Sequence, residues 1–473
     1  MSERGLELAR TKMAEADVPE AAIETFSRFY RILESGQSGL IREDDVEPLG
    51  KITRHADLEI SADDAAEALS ATAIIKLNGG LGTSMGMDKA KSLLPVRTGQ
   101  GRSLSFLDVI VGQIRAAREA TGAPLPLILM NSFRTQADTL EALAPYPDLA
   151  VEGLPLDFLQ NREPKLAADT LEPVSWPADP SLEWCPPGHG DLYPALHASG
   201  VIKKLLAAGF RYASVSNSDN LGAAPDGALA AWFAASGAPY AAEMSPKTPA
   251  DVKGGQLVVR KADGRIIQRE TAQTHPDDMA TSLDPQRHRY FHTNNLWFNL
   301  EALDAELERT GGVLELPLIR NVKTVDPTDA TSPEVIQIES AMGAAVAVFP
   351  GAEVIEVGRE RFLPVKTTND LLLLRSDVYE LTDSGRLRAT VPAPLVSLSK
   401  AYKTIGAFDA RFPAGAPSLR EATSLTVEGD WTFGSGVSAT GEAHLPATTE
   451  PATVPDGAQL TATGVQGTGG GAE

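Results

Sequence analysis

Residues 73–92 read AIIKLNGGLGTSMGMDKAKS, an apolar run followed by a glycine-rich loop. Ala73 to Leu77 form a short, largely apolar run that predicts a strand. A glycine-rich loop carrying Lys89 and Lys91 follows directly. Glycines let backbone N–H groups approach a phosphate or a base edge closely, and lysine adds a mobile positive charge. The stretch is typical of an anion-binding loop, although a tight turn followed by solvated lysines would use the same residues.

Strands and helices alternate around this loop. Residue spacing predicts a helix at Ser103–Glu119, a strand at Leu125–Met130, a helix at Pro194–Ala208 and a strand at Tyr212–Ser216. Gly122 fits the C-terminal cap of the first helix. The alternation predicts an α/β fold with a doubly wound, mostly parallel sheet, whose ligands bind in loops at the carboxyl ends of strands.

The loop's spacing excludes two common phosphate-binding motifs. A Walker A loop places Lys and Ser or Thr directly after its second glycine, whereas Lys89 lies three residues beyond Gly86. A dinucleotide fingerprint needs G-x-G-x-x-G, and Gly80, Gly82 and Gly86 leave one residue too many. A dehydrogenase is therefore only a distant alternative.

The two ends of the chain differ from this pattern. Residues up to Leu69 have helical spacing and predict a helical appendage that packs on the rest. From Leu425 onward, short β-prone pieces are separated by glycines, which indicates a small β-solenoid. Residues 464–473 are glycine-rich and predict a disordered tail.

Composition limits the classes of function. The chain has 473 residues, a formal net charge of -21 and one cysteine, Cys185. Its length predicts two or three domains, and its charge disfavours binding to nucleic acid or an anionic membrane. A single cysteine excludes an intramolecular disulfide, and no apolar run approaches the length of a membrane helix. We expect a cytoplasmic protein.

The loop, read as LNGGLGTSMG at 77–86 with K-x-K-S after it, resembles the nucleotide-binding loop of the eukaryotic-type UTP–glucose-1-phosphate uridylyltransferases, or UDP-glucose pyrophosphorylases. Further blocks match this family in its order: LMNSF at 129–133, FLQNR at 158–162, WCPPGHGD at 184–191, NSDNLG at 217–222, DVKGG at 251–255, TNNLW at 293–297, RFLPVKTTND at 361–370 and LTVEGDWTFG at 425–434.

The resemblance implies a fold and its domains. We expect a Rossmann-like nucleotide-diphospho-sugar transferase fold with a mixed, mostly parallel sheet, and a small C-terminal left-handed β-helix. The corresponding boundaries are a helical extension at 1–70, a catalytic domain at 71–380, the β-helix at 381–463 and the tail at 464–473. The implied reaction transfers the uridylyl group of UTP to glucose 1-phosphate, giving UDP-glucose and pyrophosphate.

The chemistry of such a reaction explains the residue types. A phosphate monoester has a second pKa of about 6, so a sugar phosphate is already a nucleophile at neutral pH and needs no general base. Positioning and charge neutralisation dominate instead, and lysines with Mg²⁺ suit that task. By resemblance, Lys91 holds the triphosphate and Lys366 contacts phosphate at the reaction centre. Lys89 and Lys253 are second-rank candidates.

The remaining site residues are also implied by the resemblance. Asp219 would offer Mg²⁺ a hard oxygen ligand, although an Asp there could simply close a turn after its strand. The uridine contacts are Leu77, Asn78, Gly79, Gly80, Gln160 and Gly188. Contacts to the sugar phosphate and sugar are His189, Asn217 and Asn294.

Two alternative functions stay open beside this resemblance. A UDP-N-acetylhexosamine or broad-specificity UDP-sugar pyrophosphorylase is the nearest, but those families usually carry Arg where this chain has Ser84. A non-catalytic UDP-sugar-binding regulator belongs to another class, and the presence of Lys91, Lys366 and Asp219 argues against it. A homo-oligomer is possible in the family. Cys185, close in sequence to Gly188 and His189, is expected near the ligands.

Overall fold

The computed structural model describes residues 2–36, 39–99, 102–248 and 255–466. None of the helices in these ranges combines the length and the apolar character that crossing a membrane would require. The α-helices are Ser2–Glu15, Glu20–Glu34, Ala62–Ser70, Phe106–Thr121, Gln136–Leu143, Leu192–Ser199, Val201–Ala207, Gly227–Ser236, Met279–Leu283, Leu300–Thr310, Thr368–Arg375 and Ile405–Arg411.

An eight-stranded sheet forms the centre of the fold. Its strands in chain order are β1 (Thr53–Arg54), β2 (Thr72–Asn78), β3 (Leu127–Asn131), β4 (Asp157–Leu159), β5 (Tyr212–Asn217), β6 (Tyr240–Pro246), β7 (Tyr290–Asn299) and β8 (Glu353–Glu356). Their spatial order is β1-β8-β6-β7-β5-β2-β3-β4, and β7 alone of these eight runs antiparallel to its neighbours. The predicted α/β fold with a mostly parallel sheet is confirmed.

Successive side chains of β2 pack into the two apolar cores on opposite faces of the sheet. Ile74 packs in one apolar cluster with helix Phe106–Thr121, whereas Ile75 packs in the other with helices Leu192–Ser199 and Val201–Ala207. Because side chains alternate across a strand, a strand covered on both faces must be apolar at nearly every position. This double burial explains the apolar run that precedes the loop.

One of the two helix predictions holds with shifted bounds, and the other is wrong. The first predicted helix begins at Phe106, where Ser105 and Asp108 form a capping box, and ends as expected at Gly122 with φ 70°. The predicted helix at 194–208 is wrong as a single element. Gly200 adopts φ 65° and separates Leu192–Ser199 from Val201–Ala207, because left-handed backbone ends an α-helix.

The N-terminal region is not helical throughout. Val46–Pro48 pairs with Gln256–Arg260, and Thr53–Arg54 is β1 at the edge of the central sheet. Strands this short show no usable sequence period, so only the helices of this region could be predicted.

Parallel strands continue through the C-terminal region. Leu395–Leu398, Ser418–Val427, Ser438–Leu445 and Gln459–Thr461 lie side by side in parallel, and Trp431–Phe433 pairs in parallel with Ala452–Val454. Gly464–Gln466, expected in the tail, instead forms a short antiparallel strand. Residues 467–473 of the predicted tail lie outside the described residues.

The remaining strands are short and connect or cover these elements: Pro95–Gly99, Arg102–Ser105, Glu163–Pro164, Leu166–Ala167, Trp184–Cys185, Ile266–Arg269, Ile319–Thr324, Glu334–Glu339, Tyr379–Leu381 and Leu387–Ala389.

Candidate active site

The glycine-rich loop leaves the carboxyl end of β2 and folds tightly. Gly82 and Gly86 adopt φ of 64° and 73°, in the left-handed region that favours glycine. The Lys91 N–H donates to the carbonyl oxygen of Gly80 at 2.9 Å, which closes the loop on itself. A Cβ on Gly79 would lie 2.4 Å from Gln160 Oε1, so a larger residue would displace the Gln160 amide from this position.

Lys91 contacts the predicted metal ligand Asp219 and the residue that precedes Lys366. Its Nζ donates to Asp219 Oδ2 at 2.5 Å and also to the carbonyl oxygen of Val365. Asp219 follows the end of β5, and its own carbonyl oxygen accepts from the Val365 N–H at 3.3 Å. Val365 directly precedes Lys366. The structure therefore brings the loop lysine, the aspartate and the segment of the second lysine together.

Lys366 is exposed at the start of helix Thr368–Arg375. Its backbone N–H donates to Asp370 Oδ2 at 2.8 Å, and its Nζ lies 5.7 Å from the centre of the Phe291 ring. The backbone is thus fixed by the helix cap, while Lys366 itself is exposed.

The Asp219 turn and the Lys366 segment are held together by Asn220, which sequence reasoning missed. Its Oδ1 accepts from the N–H groups of Gly222 and Leu363, at 3.2 and 2.8 Å. Its Nδ2 donates to Asn295 Oδ1 and to the Arg361 carbonyl oxygen, each at 3.1 Å. All four hydrogen-bonding positions of the amide are therefore used.

A buried ion pair lies under this turn. Arg361 Nε and Nη2 each donate to the Glu243 carboxylate at 2.7 Å, and Asn295 and Trp297 donate to the same group at 3.0 Å. Burial alone would raise the pKa of Glu243, but the guanidinium holds it below its ordinary value. The only sequence signal was a charged residue inside the apolar run at 241–244.

Lys76 is also buried, inside β2. Its Nζ donates to Ser216 Oγ at 2.8 Å and to the Ala223 carbonyl oxygen at 2.7 Å. Desolvation, helped by the Arg361 charge, lowers the pKa of Lys76 to about 7. This lysine connects β2 to β5 directly below the loop.

Gln160 and Gly188 meet on the other side of the loop. Gln160 Nε2 donates to the Gly188 carbonyl oxygen at 2.9 Å, and Gln160 Oε1 lies over Gly79. Gly188 has φ 78°, and a Cβ there would lie 2.8 Å from the Ser340 carbonyl oxygen. The predicted uridine contacts are therefore adjacent in space.

His189 has a defined tautomer. Its Nδ1 accepts from the Met342 N–H at 2.9 Å, so the proton of a neutral ring is on Nε2. Burial lowers the pKa of His189 to about 4. At neutral pH the ring is uncharged and presents Nε2–H as a donor.

The two predicted sugar contacts touch each other. Asn294 Nδ2 donates to Asn217 Oδ1 at 3.3 Å. Asn294 has φ 63°, beside an irregularity in the pairing of β6 with β7 between Ala242 and Met244. Such a bulge re-aims a side chain, and it occurs where strained backbone often marks a functional site.

Other candidates are placed differently. Lys89 is exposed, and Lys253 lies outside the described residues. Cys185 is buried and its burial raises the pKa of the thiol well above its ordinary value. It lines a cavity of about 500 Å³ together with Gly79 and Gly80. Cys185 therefore lies close to the glycine-rich loop, while its expected position near the ligands stays a prediction.

A metal ion bound at Asp219 would have few protein ligands. Within the described ranges, no group of three or more His, Cys, Asp or Glu side chains could hold a metal ion. Asp219 supplies one carboxylate, of which Oδ2 accepts from Lys91. Such a donor set fits Mg²⁺, which takes one or two carboxylates and completes its shell with phosphate oxygens and water.

A doubly wound α/β sheet with a glycine-rich loop and a lysine–aspartate pair at the strand ends is the arrangement expected of a nucleotidyltransferase. The family model described as UTP–glucose-1-phosphate uridylyltransferase matches residues 23–439. The chain belongs to this UTP–glucose-1-phosphate uridylyltransferase family.

Relatives match over most of their length. The UTP–glucose-1-phosphate uridylyltransferase of Solanum tuberosum is 39% identical over 394 residues, covering 82% of this chain and 79% of the relative. That of Saccharomyces cerevisiae is 40% identical over 378 residues, covering 79% and 73%. Among solved structures, a variant UDP-glucose pyrophosphorylase from Leishmania major in complex with UDP-glucose superposes with a TM-score of 0.89, at 39% identity, over 97% of this chain and 98% of that one.

Proposed function

We propose that this enzyme transfers the uridylyl group of UTP to glucose 1-phosphate, forming UDP-glucose and releasing pyrophosphate, in a reversible reaction. The observation that carries the proposal is the convergence of Lys91, Asp219 and the backbone before Lys366 at the carboxyl ends of the strands. The family relationship supports the same reaction. The two lysines supply positive charge at one point of a chain whose net charge is -21.

The sugar phosphate attacks the α-phosphorus of UTP in line with the leaving pyrophosphate. Because it is a dianion near neutral pH, no side chain has to remove a proton. Lys91 binds the triphosphate, and Lys366 stabilises the charge that develops at the reacting phosphate. His189 donates its Nε2–H to the sugar phosphate, and its low pKa keeps this donor neutral.

Mg²⁺ is the metal that we propose for this site, with Asp219 as its protein ligand. When bound, it would neutralise negative charge on the triphosphate and fix its orientation. The remaining work of alignment belongs to the chain itself, through the turn at Asp219 and the segment that carries Lys366.

The nucleotide lies along the loop. The backbone of Leu77, Asn78, Gly79 and Gly80 approaches the base, and Gln160 offers an acceptor and a further donor hydrogen to a uracil edge. The backbone of Gly188 completes the proposed contacts to the base. Asn217 and Asn294, which already touch each other, contact the sugar.

Glucose is the sugar that we propose, with a broader UDP-sugar specificity as the alternative. Ser84 stands where relatives specific for other sugars usually carry Arg. We also propose that the parallel C-terminal strands are turns of a left-handed β-helix at 381–463, after a catalytic domain at 71–380 and an extension at 1–70. A cytoplasmic location and a possible homo-oligomer complete the proposal.

Pyrophosphate release tests this function. The purified enzyme should release pyrophosphate from UTP with Mg²⁺ and glucose 1-phosphate, and the galactose and N-acetylglucosamine 1-phosphates should be poorer substrates. Comparable rates with several sugars would favour the broad-specificity alternative. UDP-glucose binding with no turnover would favour the regulator.

A further inference from the structure

A chain of buried amides connects the segments proposed to contact uridine. Asn78 Nδ2 donates to Asn131 Oδ1 at 2.8 Å, and the Gln160 N–H donates to the Asn131 carbonyl oxygen at 2.7 Å. Gln160 in turn donates to Gly188 at 2.9 Å. The glycine-rich loop, the Gln160 segment and the Gly188 turn therefore form one hydrogen-bonded unit.

Asp191 closes this unit from behind. Its Oδ2 accepts from the Asn161 N–H at 2.6 Å, and its Oδ1 accepts from Asn161 Nδ2 at 2.8 Å. Asn161 directly follows Gln160, and Asp191 lies three residues after Gly188. Asn161 and Asp191 together are called the clamp here. Both residues are buried, with 7% of the surface of Asn161 and 3% of that of Asp191 exposed. These bonds fix the backbone directly after Gln160 relative to the turn of Gly188 and His189, and the Gln160 side chain itself is held by Gly188.

Burying the Asp191 carboxylate costs free energy, and a residue with only a structural role would not need a charged group here. Asp191 immediately precedes helix Leu192–Ser199, yet its side chain does not cap that helix. The buried Glu163 lies close enough for the two like charges to interact. A buried carboxylate is expensive unless hydrogen bonds compensate it, and here the compensation comes from the two donors of Asn161. The two carboxylate oxygens of Asp191 accept from the two donors of Asn161. A neutral amide at position 191 would offer only one acceptor oxygen.

We propose that Asp191 is a positioning residue for selection of the nucleobase. By holding Asn161 with both carboxylate oxygens, it fixes Gln160 against Gly188 in the one arrangement whose donors and acceptors fit uracil. Cytosine reverses the donor and the acceptor at N3 and at the 4-position of this edge, while its O2 stays an acceptor as in uracil. This inference rests on the proposed function, because it takes the uridine site to lie at Gln160 and Gly188.

Asp191→Asn tests the proposal. The variant keeps the size of the side chain but turns an amide donor toward a donor of Asn161. We expect UDP-glucose to bind at least tenfold more weakly, measured by isothermal titration. CDP-glucose binding should change much less, so the preference for UDP-glucose over CDP-glucose falls about tenfold. A loss of general packing would weaken both ligands in proportion.

Two further variants keep the test decisive. Asn161→Ala removes only the side-chain donor and should reduce the preference in the same direction by a smaller factor, which covers the case in which Asp191→Asn does not fold. Glu163→Gln is the matched control, because Glu163 is an equally buried neighbouring acid outside the clamp, and it should leave the preference unchanged.

The outcomes separate the two proposals. Wild-type protein that fails to bind UDP-glucose would overturn the proposed function itself. Wild-type binding with an unchanged nucleobase preference in folded Asp191→Asn, or in Asn161→Ala where Asp191→Asn does not fold, would overturn only the role of Asp191. An equal loss of preference in Glu163→Gln would also overturn it, because the effect would then belong to the buried acids in general.

Discussion

Lys91 Nζ lies 2.5 Å from Asp219 Oδ2, so the lysine proposed for the triphosphate is paired with the aspartate proposed for the metal. The same ammonium group donates to the carbonyl oxygen just before Lys366. A metal–nucleotide complex that binds at Asp219 must therefore compete with the ion pair between Lys91 and Asp219. Replacing Asp219 therefore also changes the environment of Lys91.

Lys366→Ala should remove most turnover while nucleotide still binds. A group that stabilises charge developing in the transition state contributes about 10²–10³ to kcat. Lys366 is exposed and its backbone is fixed by the cap of Asp370, so the fold should tolerate the change. Steady-state kinetics and titration with UTP measure the two effects. Near-normal kcat would remove Lys366 from the mechanism.

Asp219→Asn should weaken the dependence of the rate on Mg²⁺, because a neutral amide is a poorer ligand than a carboxylate. It also removes the charge that holds Lys91. We therefore expect half-maximal activation at a higher Mg²⁺ concentration, together with a lower kcat. The measurement is an Mg²⁺ titration at fixed free UTP. An activation curve that coincides with wild type would place the metal elsewhere.

UDP-glucose binding should weaken as the pH falls through about 7. Burial raises the pKa of Asp191 to about 7 against the lowering effect of Asn161, and protonation removes an acceptor from the clamp. Glu163 faces Asp191, while the His189 ring stays neutral at this pH because its pKa is about 4. UDP-glucose is the suitable probe, since its diphosphate does not titrate here.

The contribution of Asp191 to stability should have the opposite sign. Because its pKa is higher in the folded than in the unfolded chain, this contribution is greatest at acidic pH and is lost as the pH rises toward 7. Binding and denaturation curves recorded from pH 6 to 8 test both signs. The Asp191→Asn variant should flatten both profiles, and profiles identical to wild type would contradict the assignment.

Arg361→Met should destabilise the protein by about 3–5 kcal/mol, because it leaves the buried Glu243 carboxylate without its guanidinium. Adding Glu243→Gln should recover much of this loss, since the uncompensated charge is then gone. Chemical denaturation of the single and double variants gives the comparison. If the double variant were no more stable than Arg361→Met, packing rather than charge would explain the effect.

Labelling of Cys185 should be slow and should inactivate the enzyme. The thiol is buried and its pKa is raised, so little thiolate is present at neutral pH. It lines the cavity beside Gly79 and Gly80, so a bulky adduct would obstruct the loop. Mass spectrometry and activity can be compared directly because the chain has one cysteine. Bound UDP-glucose should slow the reaction, whereas full labelling at full activity would contradict this position.

The sequence predicted the features that depend on local pattern. The apolar run of β2, the cap at Gly122 and the strand predicted at Tyr212–Ser216, which extends to Asn217 in the structure, all follow from residue spacing and glycine chemistry. The motifs also placed Lys91, Asp219 and Lys366 as candidates, and the structure brings their segments together. Their chemical roles stay predictions.

What the sequence could not predict depends on contacts between distant segments. Nothing local marks Asn220 as the residue that fixes the Lys366 segment, or pairs Arg361 with Glu243. The break at Gly200 was missed because apolar spacing continues across it. β1 has two residues and owes its conformation to pairing with β8, not to its own composition.

The apolar cluster that contains Ile74 of β2 and Leu371 also contains Leu425 and Phe433 of the C-terminal strands. Because the central sheet and the C-terminal strands share this core, we expect neither region to unfold while the other stays folded. Proteolytic trimming near residue 380 would expose apolar side chains on both products, and both would tend to aggregate rather than persist as separate soluble fragments.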